Sequence, residues 1–200
     1  NMLNKIVLAS GNQGKIKEFN HLLSDFKVEV VAQGQLGVAD PPETGTTFVE
    51  NAIIKARNAS AITGLPALAD DSGLVVPALN GAPGIYSSRY AGADATDETN
   101  IDKLLSGLEG QNERSAYFTC VLVFMLHADD PSPIIAQGRW HGQIALTRKG
   151  NQGFGYDPVF YCPQTGRHAA ELEKSEKASV SHRALALSSL LPEFTKVLGG

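Results

Sequence analysis

Short strands separated by helical patterns make up the first half of this 200-residue chain. The apolar runs 5–9, 28–32 and 67–69 have the length and composition of buried strands. Apolar residues at helical spacing lie between them, at 16–25 and 48–64. Strands that alternate with helices usually pair in parallel in a sheet that the helices cover. This alternation predicts an α/β fold.

The second half has a different pattern, because two long β-type runs follow one another with no helix between them. Residues 115–126 and 134–146 are rich in Val, Ile, Phe and Tyr, and Asp and Pro residues join them. Such neighbours are expected to form an antiparallel hairpin. A short strand at 159–161 and helices at 96–108 and 181–191 complete the prediction. The expected architecture is therefore a central mixed β-sheet with flanking helices.

Composition limits the possible size and partners of the fold. Hydrophobic residues make up 42% of the chain and charged residues 19%, which is enough for a packed core. The length suits one domain, expected over residues 2–200. The formal net charge is −4, so no overall positive field attracts a nucleic acid. An anionic ligand would need a local cluster of cations.

Neither a membrane segment nor a disulfide framework is expected from the sequence. The N-terminal apolar run has only four residues, Ile6 to Ala9, and no stretch approaches the ~20 apolar residues of a membrane span. We therefore expect a cytoplasmic protein with no membrane partner. The two cysteines, Cys120 and Cys162, form no C-x-x-C pair and are predicted to be buried free thiols.

The segment SGNQGK, residues 10–15, resembles a shortened phosphate-binding loop. Only two residues separate Gly11 from Gly14, and Ile16 stands where a nucleotide-binding P-loop has Ser or Thr. A helix that begins at Gly14 and Lys15 would still direct its free N–H groups and its positive dipole end at an anion. Taken alone, the segment is equally compatible with a plain strand-to-helix turn and an exposed lysine.

Two aspartates follow the third strand and are candidates for metal binding. Successive side chains of a strand point to opposite faces, so only one of Asp70 and Asp71 should face a given site. Nucleotide-bound Mg²⁺ usually takes one or two carboxylates besides phosphate oxygens, and Glu43 could supply the second. The sequence Asp-Asp-Ser-Gly is also common in ordinary turns.

Aromatic and basic residues are found together near the C-terminus. In GFGYDPVF, residues 153–160, Phe154 could stack on a planar base or could plug the core beneath a turn. Four basic residues surround the start of the last helix in this acidic chain, namely Lys174, Lys177, His182 and Arg183. They could form an anion site or a solvated helix face.

Taken together, these segments resemble the inosine triphosphate pyrophosphatase family nearly from end to end. The resemblance rests on six motifs in order: SGNQGK at 10–15, ETGTTFVENAIIKA at 43–56, ADDSGL at 69–74, GAPGIYSSRYAG at 81–92, GFGYDPVF at 153–160 and SHRALAL at 181–187. It implies an elongated α/β fold with a cleft between two lobes, a homodimer, and Mg²⁺-dependent cleavage between the α and β phosphates. The expected substrates are the non-standard purine nucleotides ITP, dITP and XTP, removed from the nucleotide pool as the monophosphate and pyrophosphate.

The same resemblance implies roles for individual residues. Asp71 matches the catalytic base and a metal ligand, and Glu43 matches a second metal ligand. The implied substrate-binding residues are Ser10, Gly11, Asn12, Gln13, Gly14, Lys15, Lys55, Ser72, Phe154, Gly155, Tyr156, Asp157, Lys177, His182 and Arg183. Asn51 lies one helical turn before Lys55, so we expect both to face the same phosphate chain. Arg183 and His182 are the candidates for donors to the purine O6.

Two other functions remain open at this stage. A Maf-type nucleotide pyrophosphatase shares the implied fold but prefers other bases, and GFGYDP and the Ser-His-Arg segment disfavour it. A non-catalytic nucleotide sensor could use the same residues. The presence of Glu43, Asp71 and the lysines disfavours this second alternative.

Overall fold

Seven strands form one sheet in the computed structural model, which describes residues 4–10 and 12–198. The strands are β1 (Lys5–Leu8), β2 (Glu29–Ala32), β3 (Ala67–Val75), β4 (Ser115–Met125), β5 (Ile134–Ile144), β6 (Phe160–Cys162) and β7 (Arg167–His168). Their order in the sheet is β2-β1-β3-β4-β5-β6-β7. β1 pairs in parallel with β2 and β3, whereas β6 pairs antiparallel with β5 and β7. The predicted mixed α/β fold is therefore confirmed.

Most of the α-helices lie where apolar residues at helical spacing predict them. They are α1 (Gln13–Leu22), α2 (Phe48–Thr63), α3 (Asp97–Gly107), α4 (Lys174–Val180) and α5 (His182–Leu198). Thr47 caps α2 because its side chain accepts the backbone N–H of Glu50, and Gly64 ends the helix in the left-handed conformation. Within the described ranges, no helix has both the length and the apolar character that crossing a membrane requires.

The first of two compact units comprises the described parts of Asn1–Asp71, Val121–Gln137 and Ala186–Gly200. Its core includes a face of small side chains on α2, namely Ala52, Ala56 and Ala59, all fully buried. These alanines belong to one apolar cluster with residues of β1, β3 and β4. The small side chains let the helix lie close to the sheet, which fixes the direction in which its other faces point.

The second unit comprises Ser72–Cys120 and Gly138–Leu185, and its core combines aliphatic side chains with the aromatic rings of Phe118, Trp140, Tyr156 and Phe160. The ring of Phe160 lies 4.5 Å from that of Phe118 and 4.9 Å from that of Trp140, centroid to centroid. Cys120 and Cys162 are buried and are not joined by a disulfide bond, as predicted. The indole N–H of Trp140 donates to Cys162 Sγ at 3.3 Å.

The structure differs from the sequence prediction in four elements. β3 continues through Asp70 to Gly73 without a turn, and β7 and α4 were not predicted. The last helix, expected to end near 191, continues past Pro192. Proline inside a helix removes one backbone bond and costs about 3 kcal/mol. Burial of Phe194, whose ring packs on those of Phe26 and Phe124, offsets this cost.

Candidate active site

The loop of residues 10–15 forms a capped helix start in the first unit. Asn12 caps α1, since its Oδ1 accepts the backbone N–H of Lys15 at 3.2 Å. The backbone N–H of Asn12 in turn donates to Ser10 Oγ, also at 3.2 Å. The helix begins at Gln13, one residue earlier than predicted. Its first turn includes Gly14 and provides N–H groups for an anion. Gly11 lies outside the described residues.

The lysine of this loop is anchored by the first of the two aspartates. Lys15 Nζ donates to Asp70 Oδ2 at 2.8 Å, and the Asp70 residue is only 5% exposed. A buried carboxylate of this kind fixes the direction of the lysine side chain while its ammonium remains partly accessible. Asp70 therefore orients a cation.

The second aspartate lies in a different group of charges, as strand alternation predicts. Lys55 Nζ lies 3.6 Å from Asp71 Oδ1 and 3.9 Å from Glu43 Oε1. It also donates a hydrogen bond to the backbone carbonyl of Asp70. Helix α2, strand β3 and the loop before α2 therefore bring Lys55, Asp71 and Glu43 together.

The environment of Asp71 favours its protonated form. Burial raises the pKa of this carboxyl to about 6, and the nearby charges of Glu43 and Asp70 act in the same direction. Lys55 opposes the rise. The second oxygen, Oδ2, is buried and has no hydrogen-bond partner. When the carboxyl is ionised, this oxygen lacks the compensation that a second cation beside it would provide.

These carboxylates suit a divalent ion whose other ligands are phosphate oxygens. Within residues 4–10 and 12–198, no group of three or more His, Cys, Asp or Glu side chains forms a metal site. Asp71 and Glu43 both approach the ammonium of Lys55, and the buried Asp71 Oδ2 has no hydrogen-bond partner. Two carboxylates completed by phosphate oxygens and water match the usual binding of Mg²⁺ to nucleotides.

The side chain of Asn51 does not have the direction that the helical spacing predicted. The residue is only 2% exposed, and its side-chain amide binds the backbone of Gly45 instead of facing a ligand. The prediction from the spacing to Lys55 is therefore wrong for Asn51. Spacing along a helix does not reveal whether a preceding loop already covers the same face.

The second unit presents an exposed aromatic ring with a cation beside it. Phe154 is 73% exposed, so it does not plug the core. Lys177 Nζ lies 4.6 Å from the centroid of its ring, in a cation–π contact. The ring is thus available to a planar ligand and is held by a neighbouring charge.

A buried carboxylate fixes the backbone behind this ring. Asp157 is 3% exposed, and its Oδ2 accepts from Lys177 Nζ at 2.5 Å and from the backbone N–H of Phe154 at 3.2 Å. Burial raises the pKa of Asp157, although the charge of Lys177 opposes this. A Cβ on Gly153 would lie 2.1 Å from the same oxygen, so only glycine fits at this position, where φ is +73°.

Two further contacts, not predicted from the sequence, attach this loop to the first residue of α3 and to the segment before it. The backbone N–H of Gly155 donates to Asp97 Oδ2 at 2.9 Å. The hydroxyl of Tyr156, a buried residue, donates to the carbonyl of Ser87 at 2.6 Å. The side chain of Tyr156 therefore packs in the core of the second unit. A backbone carbonyl carries no signal in a single sequence, so the role of Ser87 could not be read from it.

The remaining predicted residues, His182, Arg183 and Ser72, also belong to the second unit. The His182 ring is stacked on Phe118, at 5.0 Å and an interplanar angle of 19°, and lies nearly parallel to Trp140 at 6.4 Å. Arg183 follows it in the first turn of α5 and is half-buried. Ser72 is exposed on β3. Aromatic stacking thus orients His182.

Replacing Lys177 by Met should destabilise the protein by about 2–4 kcal/mol, because it leaves the buried carboxylate of Asp157 without its ion-pair partner. Urea unfolding at neutral pH measures the change. Lys174→Met is the control, since Lys174 is exposed on the same helix. The double variant Lys177→Met/Asp157→Asn should recover part of the loss. Equal stability of Lys177→Met and Lys174→Met would contradict the importance of the pair.

Comparisons with known proteins agree on one family. The model of the Ham1 family matches residues 6–193. A protein of Yersinia pseudotuberculosis named dITP/XTP pyrophosphatase is 57% identical over 191 residues, which cover 94% of this chain and 97% of that protein. A protein of Vibrio parahaemolyticus with the same name is 55% identical over 195 residues, or 96% of this chain and 98% of the relative.

Solved structures agree with this assignment. The HAM1 protein of Coxiella burnetii superposes with a TM-score of 0.94 at 52% identity, covering 97% of this chain and all of the other. The nucleoside-triphosphatase / dITP/XTP pyrophosphatase of Mycobacterium abscessus gives a TM-score of 0.81 at 41% identity, covering 94% and 99% of the two chains. The chain therefore belongs to the Ham1 family.

Proposed function

We propose that this protein hydrolyses the non-standard purine nucleoside triphosphates dITP, ITP and XTP to the nucleoside monophosphate and pyrophosphate. The observation that carries the proposal is the group formed by Asp71, Lys55 and Glu43, in which a carboxyl with a raised pKa adjoins a cation and a second acid. The names of the relatives at 55–57% identity support the substrate class. The reaction would remove these nucleotides from the pool used for nucleic acid synthesis.

The triphosphate is assigned to the first unit. The N–H groups at the start of α1, in Gln13 and Gly14, together with the side chains of Ser10 and Asn12, would bind its oxygens. Lys15 and Lys55 would neutralise its charge, and each is already oriented by Asp70. Phosphoryl chemistry depends mainly on such positioning and charge neutralisation.

Asp71 and Glu43 would hold Mg²⁺, which when bound supplies charge neutralisation at the phosphates. Asp71 would also accept the proton of the water that attacks the α-phosphorus. In the metal-free protein the raised pKa of about 6 still leaves this group ionised at neutral pH, as a general base must be.

The base is assigned to the second unit. Phe154 would stack on the purine, since its ring is exposed and held by Lys177. His182 and Arg183 would donate to the O6 atom, and adenine, which has an amino group there, would leave them unpaired. Gly155, Tyr156, Asp157 and Ser72 would complete the contacts through backbone and side-chain groups. Guanine shares O6, so its exclusion must act on the 2-amino group.

Pyrophosphate release from ITP, XTP, ATP and GTP in the presence of Mg²⁺ tests the function. We expect kcat/KM for ITP and XTP to exceed that for ATP by about 100-fold or more, as for sites that leave buried donors unpaired with the wrong base. EDTA should abolish the release. Comparable turnover of ATP would contradict the selectivity. Binding of ITP without release would favour a sensor, and a preference for pyrimidines would favour the Maf-type alternative.

The assembly is proposed on the same family grounds. We infer a cytoplasmic homodimer in which residues 2–200 of each chain act as one catalytic domain, with no nucleic acid or membrane partner. The match of the family model to residues 6–193 spans both compact units and supports the single domain. Light scattering after size-exclusion chromatography should give twice the mass of the chain, and a monomer would contradict the dimer.

A further inference from the structure

A buried asparagine holds the loop that carries Glu43. Asn51 Oδ1 accepts the backbone N–H of Gly45 at 2.8 Å, and its Nδ2 donates to the carbonyl of the same residue at 3.4 Å. One side chain thus binds both polar backbone groups of Gly45. Because Asn51 is only 2% exposed, water does not compete well for these bonds.

The loop lies so close to the helix that no side chain fits at its contact point. A Cβ on Gly45 would lie 2.6 Å from Glu50 Cβ and 2.7 Å from Asn51 Oδ1. Real Cβ atoms do not approach other atoms this closely, so a side chain at position 45 would push the loop away from α2. Glycine is required here for space.

This attachment sets the position of the proposed metal ligand. Glu43 is two residues before Gly45, and its Oε1 lies 3.9 Å from Lys55 Nζ. Lys55 lies on α2 one turn after Asn51, so a single helix provides the cation and also holds the loop that brings the acid to it. The hydrogen bonds of Asn51 therefore connect the geometry of Glu43 to the rigid core face of α2.

We propose that Asn51 is a positioning residue that places Glu43 for binding a divalent cation, without contacting the cation or the nucleotide. The inference rests on the proposed function, in which Glu43 is a metal ligand. A ligand held in advance pays less conformational entropy on binding, so loss of the support should weaken metal binding.

Binding of Mn²⁺ to the nucleotide-free protein, followed by the electron paramagnetic resonance signal of the unbound ion, tests this inference directly. In Asn51→Ala we expect the dissociation constant for Mn²⁺ to rise by about 10- to 100-fold, as for other groups that orient metal ligands. The Mg²⁺ concentration that half-saturates pyrophosphate release should rise similarly, with a kcat near that of the wild type at saturating Mg²⁺.

A double variant separates positioning from general damage. Glu43→Gln should weaken Mn²⁺ binding, and Asn51→Ala/Glu43→Gln should be no weaker than Glu43→Gln alone, because both changes remove the same ligand. Asn58→Ala is the matched control: Asn58 lies on the same helix and donates from Nδ2 to the carbonyl of Ala39, at 3.1 Å, in the same loop. Its metal affinity should equal that of the wild type.

Each contrary result has a defined meaning. Wild-type Mn²⁺ affinity in Asn51→Ala, or losses that add fully in the double variant, would overturn the inference. If Asn51→Ala does not fold, Gly45→Ala displaces the loop by steric contact and should show the same loss; normal affinity in that variant would overturn it too. An unaffected Glu43→Gln would overturn both this inference and the metal assignment of Glu43. Pyrophosphate release by the wild type tests the proposed function separately.

Discussion

Asp71→Asn should slow pyrophosphate release from dITP by about a thousand-fold or more, since it removes the proposed general base and a metal ligand at once. Asparagine keeps the size of the side chain, so the lysines proposed to bind the triphosphate should remain in place. Nucleotide affinity measured without turnover is therefore expected to change much less than kcat. A variant with full activity would refute the role of Asp71.

The same substitution should stabilise the metal-free protein at neutral pH. Burial raises the pKa of Asp71 to about 6 in the folded state, whereas an unfolded aspartate titrates near about 4. The contribution of this carboxyl to folding is thus fully present below about pH 4 and is lost as the pH rises through about 6. Asparagine suffers no such loss. With allowance for partial exposure, we expect a gain of about 1–2 kcal/mol at pH 7 and none at pH 4.

Thermal unfolding in EDTA at the two pH values measures this gain. At pH 7 the variant should melt about 2–8 °C above the wild type. Asp129→Asn, at an exposed position, is the control and should stay within about 0.5 kcal/mol of the wild type. Added Mg²⁺ should stabilise the wild type more than Asp71→Asn, because only the wild type retains the ligand. Identical melting temperatures of the two proteins in EDTA at pH 7 would show that the buried, ionised carboxylate of Asp71 does not destabilise the fold.

Lys55→Met should reduce kcat/KM by about 100- to 1000-fold, as does loss of other groups that stabilise charge in a transition state. Its ammonium is also one of the influences that lower the pKa of Asp71. Without it, the pKa of Asp71 should rise above that in the wild type, so a larger fraction of the base is protonated at neutral pH. The acid limb of the pH–rate profile is therefore expected to move to higher pH.

Profiles of kcat/KM between pH 5 and 9, taken with saturating Mg²⁺, measure both effects. Lys17→Met is a suitable control, because Lys17 is an exposed lysine on α1. It should leave the rate and the profile unchanged. An acid limb in Lys55→Met that coincides with that of the wild type would show that Lys55 does not influence the ionisation of Asp71.

The sequence was informative wherever a local pattern determines the structure. Alternation of apolar runs with helical patterns predicted the mixed sheet, and apolar residues at helical spacing over 48–64 predicted α2. Strand alternation predicted that Asp70 and Asp71 would meet different partners, and they pair with Lys15 and Lys55 respectively. Each of these predictions depends only on spacing along one element.

The features that the sequence did not reveal depend on contacts between distant segments. Pro192 is a helix breaker by local rules, yet α5 continues past it to Leu198 and buries Phe194. Asn51 has the spacing of a ligand-facing residue, yet the preceding loop occupies that face. Asp97 could be recognised as a helix-start residue, but its bond to the Gly155 amide joins positions far apart in the chain.

The two buried thiols give the second unit built-in reporters of its own opening. Cys120 and Cys162 are 1% and 0% exposed, and both belong to that unit. An alkylating reagent can reach them only when the side chains that bury them separate, so the modification rate measures the free energy of that fluctuation. No cysteine has to be engineered. The comparison of rates with and without a nucleotide therefore gives a direct measure of how far a ligand rigidifies the second unit, to which we assign base binding.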